Sequence, residues 1–510
     1  MLSRPTGVEW RIFGIAMACT LAVRATMLFP LNFSCDTYLF VSYFDAYFAH
    51  EFRNDFAQMR FGGVALYWIM QQIGAGYPFA GALLPILGCA AIAGFALAAR
   101  RLWMPASGFA PGLIFVLLLS LHPYASDLLI YHAGLPLYIF ALGAGALGLL
   151  ITSDRPGRFL AATGLFSLVP SFYQPIYTWL LVVVLVEMMF AVQGPLVGHR
   201  TLPQLVLALA GTPAARRLAA LFCGAILYLP IGAVLAHYFG PGHPVRTELA
   251  GLRDIIPHAV VAAKMTYWWA FKGEVVLPFA VKIVQWALLV AAVLPILRAA
   301  MKPGASPSRW TGSIVFALLL AGAWIACLAV LLPLKGMQPN LNLRTTAALV
   351  CFWGGMFALA ASGPGRMFTR TVTAIGLTLV ICFGLNSNRL SADHARLNER
   401  DRLLASRIIE RLSSLPDFGN VRRVAVIGGT GLNLDRISSS TAGFNISALD
   451  RPWSQSAVLR EISGYPFQFP TEADMSEALA QSKSAPRWPA VGSILIRGDL
   501  AIVCLPDSPE

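Results

Sequence analysis

Residues 133–152 read AGLPLYIFALGAGALGLLIT, a continuous apolar run without a charged side chain. A transmembrane helix needs about 20 such residues to cross a hydrocarbon core about 30 Å thick. A barrel strand would instead alternate apolar and polar residues over about 10 positions, and this run does not alternate. The stretch therefore predicts a membrane-spanning α-helix, which sets the class of fold for the chain.

Comparable apolar blocks recur along the sequence, which is 57% hydrophobic and only 12% charged, with a mean hydropathy of +0.65. The expected spans, about eleven in number, lie near residues 12–31, 78–99, 108–122, 133–152, 159–171, 172–193, 218–238, 275–297, 311–333, 345–363 and 371–387. The segment 159–171 is short for a complete crossing. The expected fold is an all-α polytopic membrane protein.

The net charge of +13 and the pI of about 9.6 indicate topology rather than nucleic-acid binding. With the N-terminus in the cytoplasm, the cytoplasmic loops hold most of the arginines, including Arg100, Arg101, Arg216 and Arg217. The opposite loops balance their bases with acids. This asymmetry is the positive-inside pattern of membrane proteins, so we expect no nucleic-acid partner and a retained first helix rather than a cleaved signal peptide.

The composition changes after the last apolar block, which divides the chain into a membrane domain (1–387) and a small α/β domain (388–510). Residues 391–415 predict an amphipathic helix by their spacing of leucine and isoleucine. VRRVAVIGGTG (421–431) predicts a buried strand that ends in a glycine turn, and ILIRGDLAIVCL (494–505) predicts a hairpin. An odd number of spans places this domain outside the cytoplasm.

Neither a disulfide nor a metal site is required by the sequence. Cys35 and Cys504 fall in the expected extracytoplasmic parts and could pair, although nothing in their spacing demands it. His122 and His132 flank one outer loop, but they lack the spacing of metal ligands on a helix. We expect no metal and no cofactor.

The best lead to function is the polar first loop, NFSCDTYLFVSYFDAYFAHEFRNDFAQMR (32–60). Asp36 lies about one turn beyond the apolar end of the first span, where a carboxylate is anchored yet open to water, as a general base requires. Asp45 is the second candidate. The alternative is that Asp36 solvates the helix end or pairs with Arg60.

Three bases on the outer side could hold a phosphate through charge-assisted contacts. Arg60 ends the first loop, and Lys335 and Arg344 lie at the outer end of the ninth span. Each taken alone could instead be an interfacial base that reaches the headgroups.

Two further segments offer contacts for a sugar. The outer loop HPYASDLLIYHAG contains Tyr131 and His132, and PSFYQPIYTWL interrupts an apolar block with Tyr173 and Gln174. An amide donates and accepts hydrogen bonds, and aromatic rings stack on sugar faces. The glutamine could equally belong to a helix kink set by its neighbouring prolines.

The order of these elements resembles the polytopic bacterial glucosyltransferases of the O-antigen-modifying type II Gtr class, over nearly the whole chain. The resemblance rests on the first loop, HPYASDLLIYHAGLP (122–136), SFYQPIYTWLL (171–181), NLRTTAAL (342–349) and RDRLLASRIIERL (400–412). The first loop of such proteins often carries adjacent acids, whereas Asp36 is followed here by Thr37.

The resemblance implies a GT-C type integral membrane glycosyltransferase of the bacterial inner membrane. Such an enzyme takes a sugar, typically glucose, from a polyprenyl phosphate and transfers it on the outer, periplasmic face to a cell-surface glycan such as O-antigen. A first-loop carboxylate would act as the base, and the anomeric centre would invert. Membrane lipid is then a partner, and no nucleotide motif is expected.

Two other functions stay open. A transporter or flippase of lipid-linked sugar would also have many helices, but it would more often show repeats with matching helix breaks. An O-antigen polymerase or ligase would concentrate its function in a late periplasmic loop, whereas the acids here gather in the first loop.

Overall fold

The computed structural model describes residues 5–28, 32–73, 79–193, 201–240, 251–272, 276–302, 307–329, 332, 343–430 and 446–506. The helices of the first half are α1 (Gly7–Val23), α2 (Ala25–Leu28), α3 (Cys35–Ser42), α4 (Phe44–Ala57), α5 (Phe61–Gln72), α6 (Phe79–Trp103), α7 (Phe109–Ser120), α8 (Pro123–Ile130), α9 (Leu135–Ile151) and α10 (Pro156–Gln193). Those that follow are α11 (Leu202–Ala210), α12 (Pro213–Phe239), α13 (Ile255–Ala270), α14 (Phe279–Ala300), α15 (Pro307–Ala326), α16 (Leu349–Ala361), α17 (Arg366–Ser413), α18 (Pro452–Ser463) and α19 (Glu472–Ser482). The strands are β1 (Arg423–Ile427), β2 (Ile494–Arg497) and β3 (Leu500–Cys504).

The predicted all-α polytopic architecture is confirmed, together with a small mixed sheet near the C-terminus. Within the described residues, six helices are long and apolar enough to cross a membrane: α6, α10, α12, α14, α15 and α17. The bent pair α7–α8, which turns by 53°, makes a seventh if it counts as one span. The count of eleven stays a prediction, because α1, α9 and α16 are apolar but shorter, at 17, 17 and 13 residues.

The stretch that sets the class of fold forms α9, which packs along α10. A Cβ atom added at Gly148 would lie 2.6 Å from a ring carbon of Phe166, and one added at Gly145 would lie 2.9 Å from Leu180. Lipid is as apolar as a helix surface, so helices in a membrane associate through close van der Waals packing, and small residues allow that close approach. Gly145 and Gly148 therefore lie in the contact surface between α9 and α10.

Helix α10 joins the two spans that were predicted on either side of Pro170, and it is broken at Tyr173. Tyr173 has φ −154° and ψ 105°, outside the helical region. Pro175 lacks an N–H and its ring clashes with the carbonyl four residues earlier, so it weakens the helix at the turn where Tyr173 departs from helical geometry. The predicted kink is confirmed, and it lies beside the candidate site.

Helix α17 is 48 residues long, which corresponds to about 72 Å at about 1.5 Å per residue. It contains the predicted amphipathic helix, with Leu404, Ile408 and Leu412 buried. The predicted boundary between residues 387 and 388 falls inside this helix. A helix satisfies its backbone hydrogen bonds internally, so the chain can leave the hydrocarbon without a break.

The C-terminal segment, meaning the described residues between 416 and 506, contains a three-stranded sheet of order β1-β3-β2. Strand β1 pairs with β3 in parallel, and β2 pairs with β3 antiparallel, which confirms the predicted strand and hairpin. Gly498, with φ 59°, lies in the hairpin turn between Arg497 and Leu500. Arg423 clamps this segment through Asp474 at 2.9 Å and Asp499 at 2.8 Å.

All eight cysteines are free thiols. Cys35 opens α3 and Cys504 ends β3, and both are buried. The optional pairing of these two cysteines is therefore absent from this structure.

Candidate active site

The first loop folds into α3, α4 and α5, and Asp36 lies in the first turn of α3. Ser34 caps this helix by accepting a hydrogen bond from the Thr37 backbone N–H. A carboxylate in a first helical turn is favoured by the helix dipole. Asp36 is half-buried, and its Oδ1 accepts a hydrogen bond of 3.0 Å from Nε1 of Trp453 on α18. The C-terminal segment therefore reaches the candidate base directly.

Arg60, at the amino end of α5, is held by residues from two elements. Its Nη1 lies 3.6 Å from Oδ1 of Asp55, which is buried at the end of α4. Its Nε donates to Oε1 of Gln174 over 2.9 Å, and its guanidinium lies 5.3 Å from the centre of the Tyr173 ring. Both of these last partners lie at the break in α10.

Gln174 positions Arg60 while both N–H groups of its amide are also engaged. While Oε1 accepts from Arg60, Nε2 donates to the Gln58 carbonyl and to the Tyr228 hydroxyl. The kink interpretation is confirmed, since Gln174 directly follows the break at Tyr173, and the same side chain orients Arg60. Its contact with a sugar stays a prediction.

Arg344 lies against the C-terminal end of the bent pair α7–α8. Its backbone N–H donates to Oδ2 of Asp127 over 2.8 Å, and its guanidinium stacks 3.5 Å from the centre of the Tyr131 ring. A guanidinium stacked on a ring is fixed in orientation yet keeps its N–H edge available for an anion. The sequence separation of 217 residues between Asp127 and Arg344 shows that only the fold joins them.

Two tyrosines connect the two arginines into one cluster. The rings of Tyr138 and Tyr173 lie 4.5 Å apart between centres, and each interacts electrostatically with both Arg60 and Arg344. We call these residues, with Asp55 and Asp127, the arginine–tyrosine cluster. It brings together three of the predicted site residues, Arg60, Arg344 and Tyr173, from three distant parts of the chain.

Asp36 lies within electrostatic range of Tyr131, the residue on which Arg344 stacks. Burial raises the pKa of the Tyr131 hydroxyl, against the opposing influence of Arg344, so this group stays protonated and can donate a hydrogen bond. Burial and the Asp36 charge raise the pKa of Cys35 to about 12, which leaves an unreactive neutral thiol beside the carboxylate.

The remaining predicted site residues lie elsewhere. Asp45 is exposed on the first turn of α4, and its Oδ1 accepts a hydrogen bond from Gln71. His132 is fully buried, with its ring edge-on to Phe33 at 5.8 Å, so the structure offers it no open face. Lys335 lies outside the described residues.

Sequence reasoning did not assign a role to four residues of this site. Asp55 and Asp127 were visible as acids of outer loops, but their burial beside arginines was not. Tyr138 lies inside an apolar span, where a tyrosine is ordinarily interpreted as a packing residue. Trp453 gave no local signal at all, because its partner is 417 positions away.

The arrangement combines a partly exposed carboxylate with two half-buried guanidiniums. Arg60 is fixed by Asp55, Gln174 and an aromatic ring, and Arg344 by its stack on a ring. Guanidiniums fixed in this way can bind a phosphate or pyrophosphate with little reorganisation, which is the requirement for stabilising charge on a leaving group. Within the part of the chain that the structure describes, no group of three or more His, Cys, Asp or Glu side chains could hold a metal ion.

The fold and this cluster define a membrane-embedded helical protein with a small mixed sheet at its C-terminal end. No protein-family model matches the chain, and no curated protein matches its sequence significantly. The assignment of a function therefore rests on the residues themselves.

Proposed function

We propose that the protein is an integral membrane glycosyltransferase. It moves a sugar, glucose by the resemblance described above, from a polyprenyl-phosphate donor to a cell-surface glycan such as O-antigen. The proposed place is the outer face of a bacterial inner membrane, with the N-terminus in the cytoplasm and residues 388–510 in the periplasm.

The observation that carries this proposal is the stack of the Arg344 guanidinium on the Tyr131 ring, within electrostatic range of the Asp36 carboxylate. A transferase that uses a lipid phosphate donor needs a base for the acceptor hydroxyl and cations for the departing phosphate at adjacent positions. Asp36 has the charge required of the base, and Arg344 has the charge required beside the departing phosphate. Both lie within electrostatic range of Tyr131.

The reaction follows from this placement. Asp36 takes the proton of the acceptor hydroxyl, whose oxygen attacks the anomeric carbon of the donor sugar. The bond between that carbon and the phosphate oxygen breaks, and its electron pair leaves with the lipid phosphate. Arg344 and Arg60 stabilise the added charge on the phosphate. Because attack and departure occur on opposite faces, the anomeric configuration inverts.

The contacts around Arg60 support a phosphate rather than a headgroup role. A snorkelling arginine extends freely toward the interface, whereas Arg60 is fixed by Asp55, Gln174 and Tyr173. Holding a side chain in one rotamer by several partners is the condition for a preorganised site.

Ion pairs at the opposite ends of the helices support the proposed topology. Glu9, before the first apolar block, pairs with Arg101 at 2.8 Å and with Arg100 at 3.6 Å. Arg217 pairs with Glu187 and donates to the Leu149 carbonyl. All of these residues belong to helix ends that positive-inside counting assigns to the cytoplasm.

The test is transfer of radiolabelled glucose from polyprenyl-phosphate glucose to cell-surface glycan, in membranes that contain the wild-type or Asp36→Asn protein. Asp36→Asn removes a charge with little change in volume, so we expect normal insertion and loss of transfer. Asp417→Asn, at an exposed position of the C-terminal segment, is the matched control and should transfer normally.

Each result decides something different. Transfer by wild type alone supports both the reaction and the base. Equal transfer by both proteins supports the reaction and moves the base elsewhere, with Asp45 next. No transfer by either protein contradicts use of this donor and favours another lipid-linked sugar, a flippase, or a polymerase or ligase.

A further inference from the structure

A solvent-open pocket lies where α3 of the first loop meets α18 of the C-terminal segment, apart from the arginine–tyrosine cluster. Its cavity volume is about 280 Å³. Its lining residues are Val41, Ser42, Arg460, Glu461, Gly464, Tyr465 and Pro466. The volume is close to the lower end of the range of about 300–1,000 Å³ for small-molecule sites, which suits a single compact group of a larger ligand.

The pocket has a fixed position relative to Asp36, because α3 and α18 lie side by side and run in the same direction. At their amino ends Trp453 donates to Asp36, and further along Ser42 donates to the Ala457 carbonyl over 3.2 Å. Six residues separate Asp36 from Ser42, which places the pocket about 9 Å along the helix from the carboxylate. The pairing of α3 with α18 thus fixes the distance between the candidate base and the pocket.

The pocket offers a carboxylate and an aromatic face. Glu461 is half-buried in the lining. Tyr465 is 40% exposed. Phe418 packs edge-on against its ring at 4.9 Å between centres, and Phe467 packs against it in a tilted arrangement at 5.6 Å. A carboxylate accepts hydrogen bonds from neighbouring sugar hydroxyls, and a rigid ring packs against the C–H face of a pyranose.

The charges in the pocket argue against an anionic ligand. Arg460 already donates to the Phe467 carbonyl over 2.8 Å and lies 4.7 Å from the centre of the Tyr43 ring. The acid at Glu461 would repel a phosphate. The polar lining equally disfavours a lipid tail, which needs an apolar groove. A neutral sugar is the ligand class that satisfies these groups.

We propose that this pocket binds one sugar unit of the acceptor glycan, at a distance of about 9 Å from Asp36 along α3. The proposal rests on the glycosyl transfer proposed above and deepens it, since it assigns the C-terminal segment a role in acceptor recognition. The reacting hydroxyl lies at Asp36, and a neighbouring part of the same glycan lies between Glu461 and Tyr465.

The experiment measures glycan binding without any donor. Purified full-length protein in detergent is titrated with soluble O-polysaccharide oligosaccharides of several known repeat units, and binding is read by saturation-transfer difference NMR. We expect at least one oligosaccharide to bind. Glu461→Gln and Tyr465→Ala should each weaken its Kd by about tenfold or more, as loss of a charge-assisted hydrogen bond or of ring stacking predicts.

Two controls keep the result interpretable. Val491→Ala changes a side chain in the same segment that is 93% exposed and distant in sequence from the pocket, and it should bind like wild type. Melting temperatures of all variants identify any that fail to fold. Glu461→Gln preserves volume, so it tests the carboxylate even if Tyr465→Ala unfolds.

The outcomes separate this inference from the proposed function. Absence of binding to every oligosaccharide by wild type, or equal Kd values for wild type and both pocket variants, overturns the pocket assignment and leaves the transfer assay to judge the reaction. Loss of binding in the pocket variants supports the assignment even if sugar transfer is absent, in which case the proposed reaction is the part that fails. Where transfer occurs, the pocket variants should raise KM for the glycan and leave KM for the donor unchanged.

Discussion

Trp453 is the residue through which the C-terminal segment contacts the proposed base. Its Nε1–H donates to Asp36 Oδ1 over 3.0 Å, and 42% of Trp453 is exposed. A hydrogen bond to an ionised group contributes about 1.5–3 kcal/mol, and solvent exposure favours the lower end of that range. Trp453→Phe removes the donor and keeps most of the ring. We therefore expect kcat/KM for sugar transfer to fall about tenfold, which corresponds to about 1.4 kcal/mol.

The assay is the initial rate of labelled glucose transfer by purified protein, with melting temperature as the check on folding. Trp310→Phe is the matched control, since Trp310 is a 54% exposed tryptophan on α15 and should leave the rate unchanged. The same substitution is also made in the Asp36→Glu background, which keeps a carboxylate and residual transfer but moves the carboxylate away from the indole. If the indole acts through the carboxylate, the second substitution adds little further loss there.

Two results would refute this reasoning. One is a rate for Trp453→Phe within about twofold of wild type, which is the usual scatter of such cycles. The other is an equal loss in both backgrounds, which would mean that Trp453 acts on something other than Asp36.

Three other substitutions test the site, the membrane packing and the C-terminal segment. Arg344→Gln removes one cation from the leaving phosphate, so kcat/KM for transfer should fall by about 10²–10³, whereas the exposed Arg497→Gln should not change it; equal rates would exclude Arg344 from the site. A Cβ at Gly148 would lie 2.6 Å from a carbon of α10, and Gly143 has no atom within 4 Å of that position. Gly148→Ala should therefore lower the free energy of unfolding by about 1–3 kcal/mol while Gly143→Ala should not, as measured by thermal unfolding in detergent. Burial raises the pKa of Asp474, but hydrogen bonds at its helix cap and its paired arginine outweigh this and hold the pKa below its usual value. The carboxylate thus stabilises the fold above the ordinary Asp pKa of about 4, and this stabilisation disappears as the pH falls through the lowered native pKa. Asp474→Asn should flatten the acid side of the plot of melting temperature against pH. An unchanged plot would contradict the assignment.

Several features were predictable because they depend on neighbours in sequence. Apolar runs specify helices in a membrane, since each residue's backbone bonds close within its own segment. The kink near Tyr173 followed from Pro175, and the hairpin around Gly498 followed from its turn residues. Those features are local consequences of backbone sterics, and the structure confirms each of them.

The candidate site was predictable in its residue types more than in its arrangement. Asp36, Arg60 and Arg344 could be singled out, because charges at the mouths of membrane helices are costly and therefore informative. Their partners could not be assigned. Sequence gives no distance between Arg344 and Tyr131, and it could not show that Asp45 faces Gln71 instead.

The amino-acid sequence by itself determined that the chain is a helical membrane protein, where its apolar helices run, and that a small strand-containing segment follows them. Hydropathy and backbone sterics act over a few neighbouring residues, so these properties can be read locally. Only the tertiary structure decided that two arginines share a pair of tyrosines and that Trp453 reaches Asp36. Such contacts join residues hundreds of positions apart, and they exist because close helix packing and the burial of charge together leave few arrangements in which every charged group has a partner.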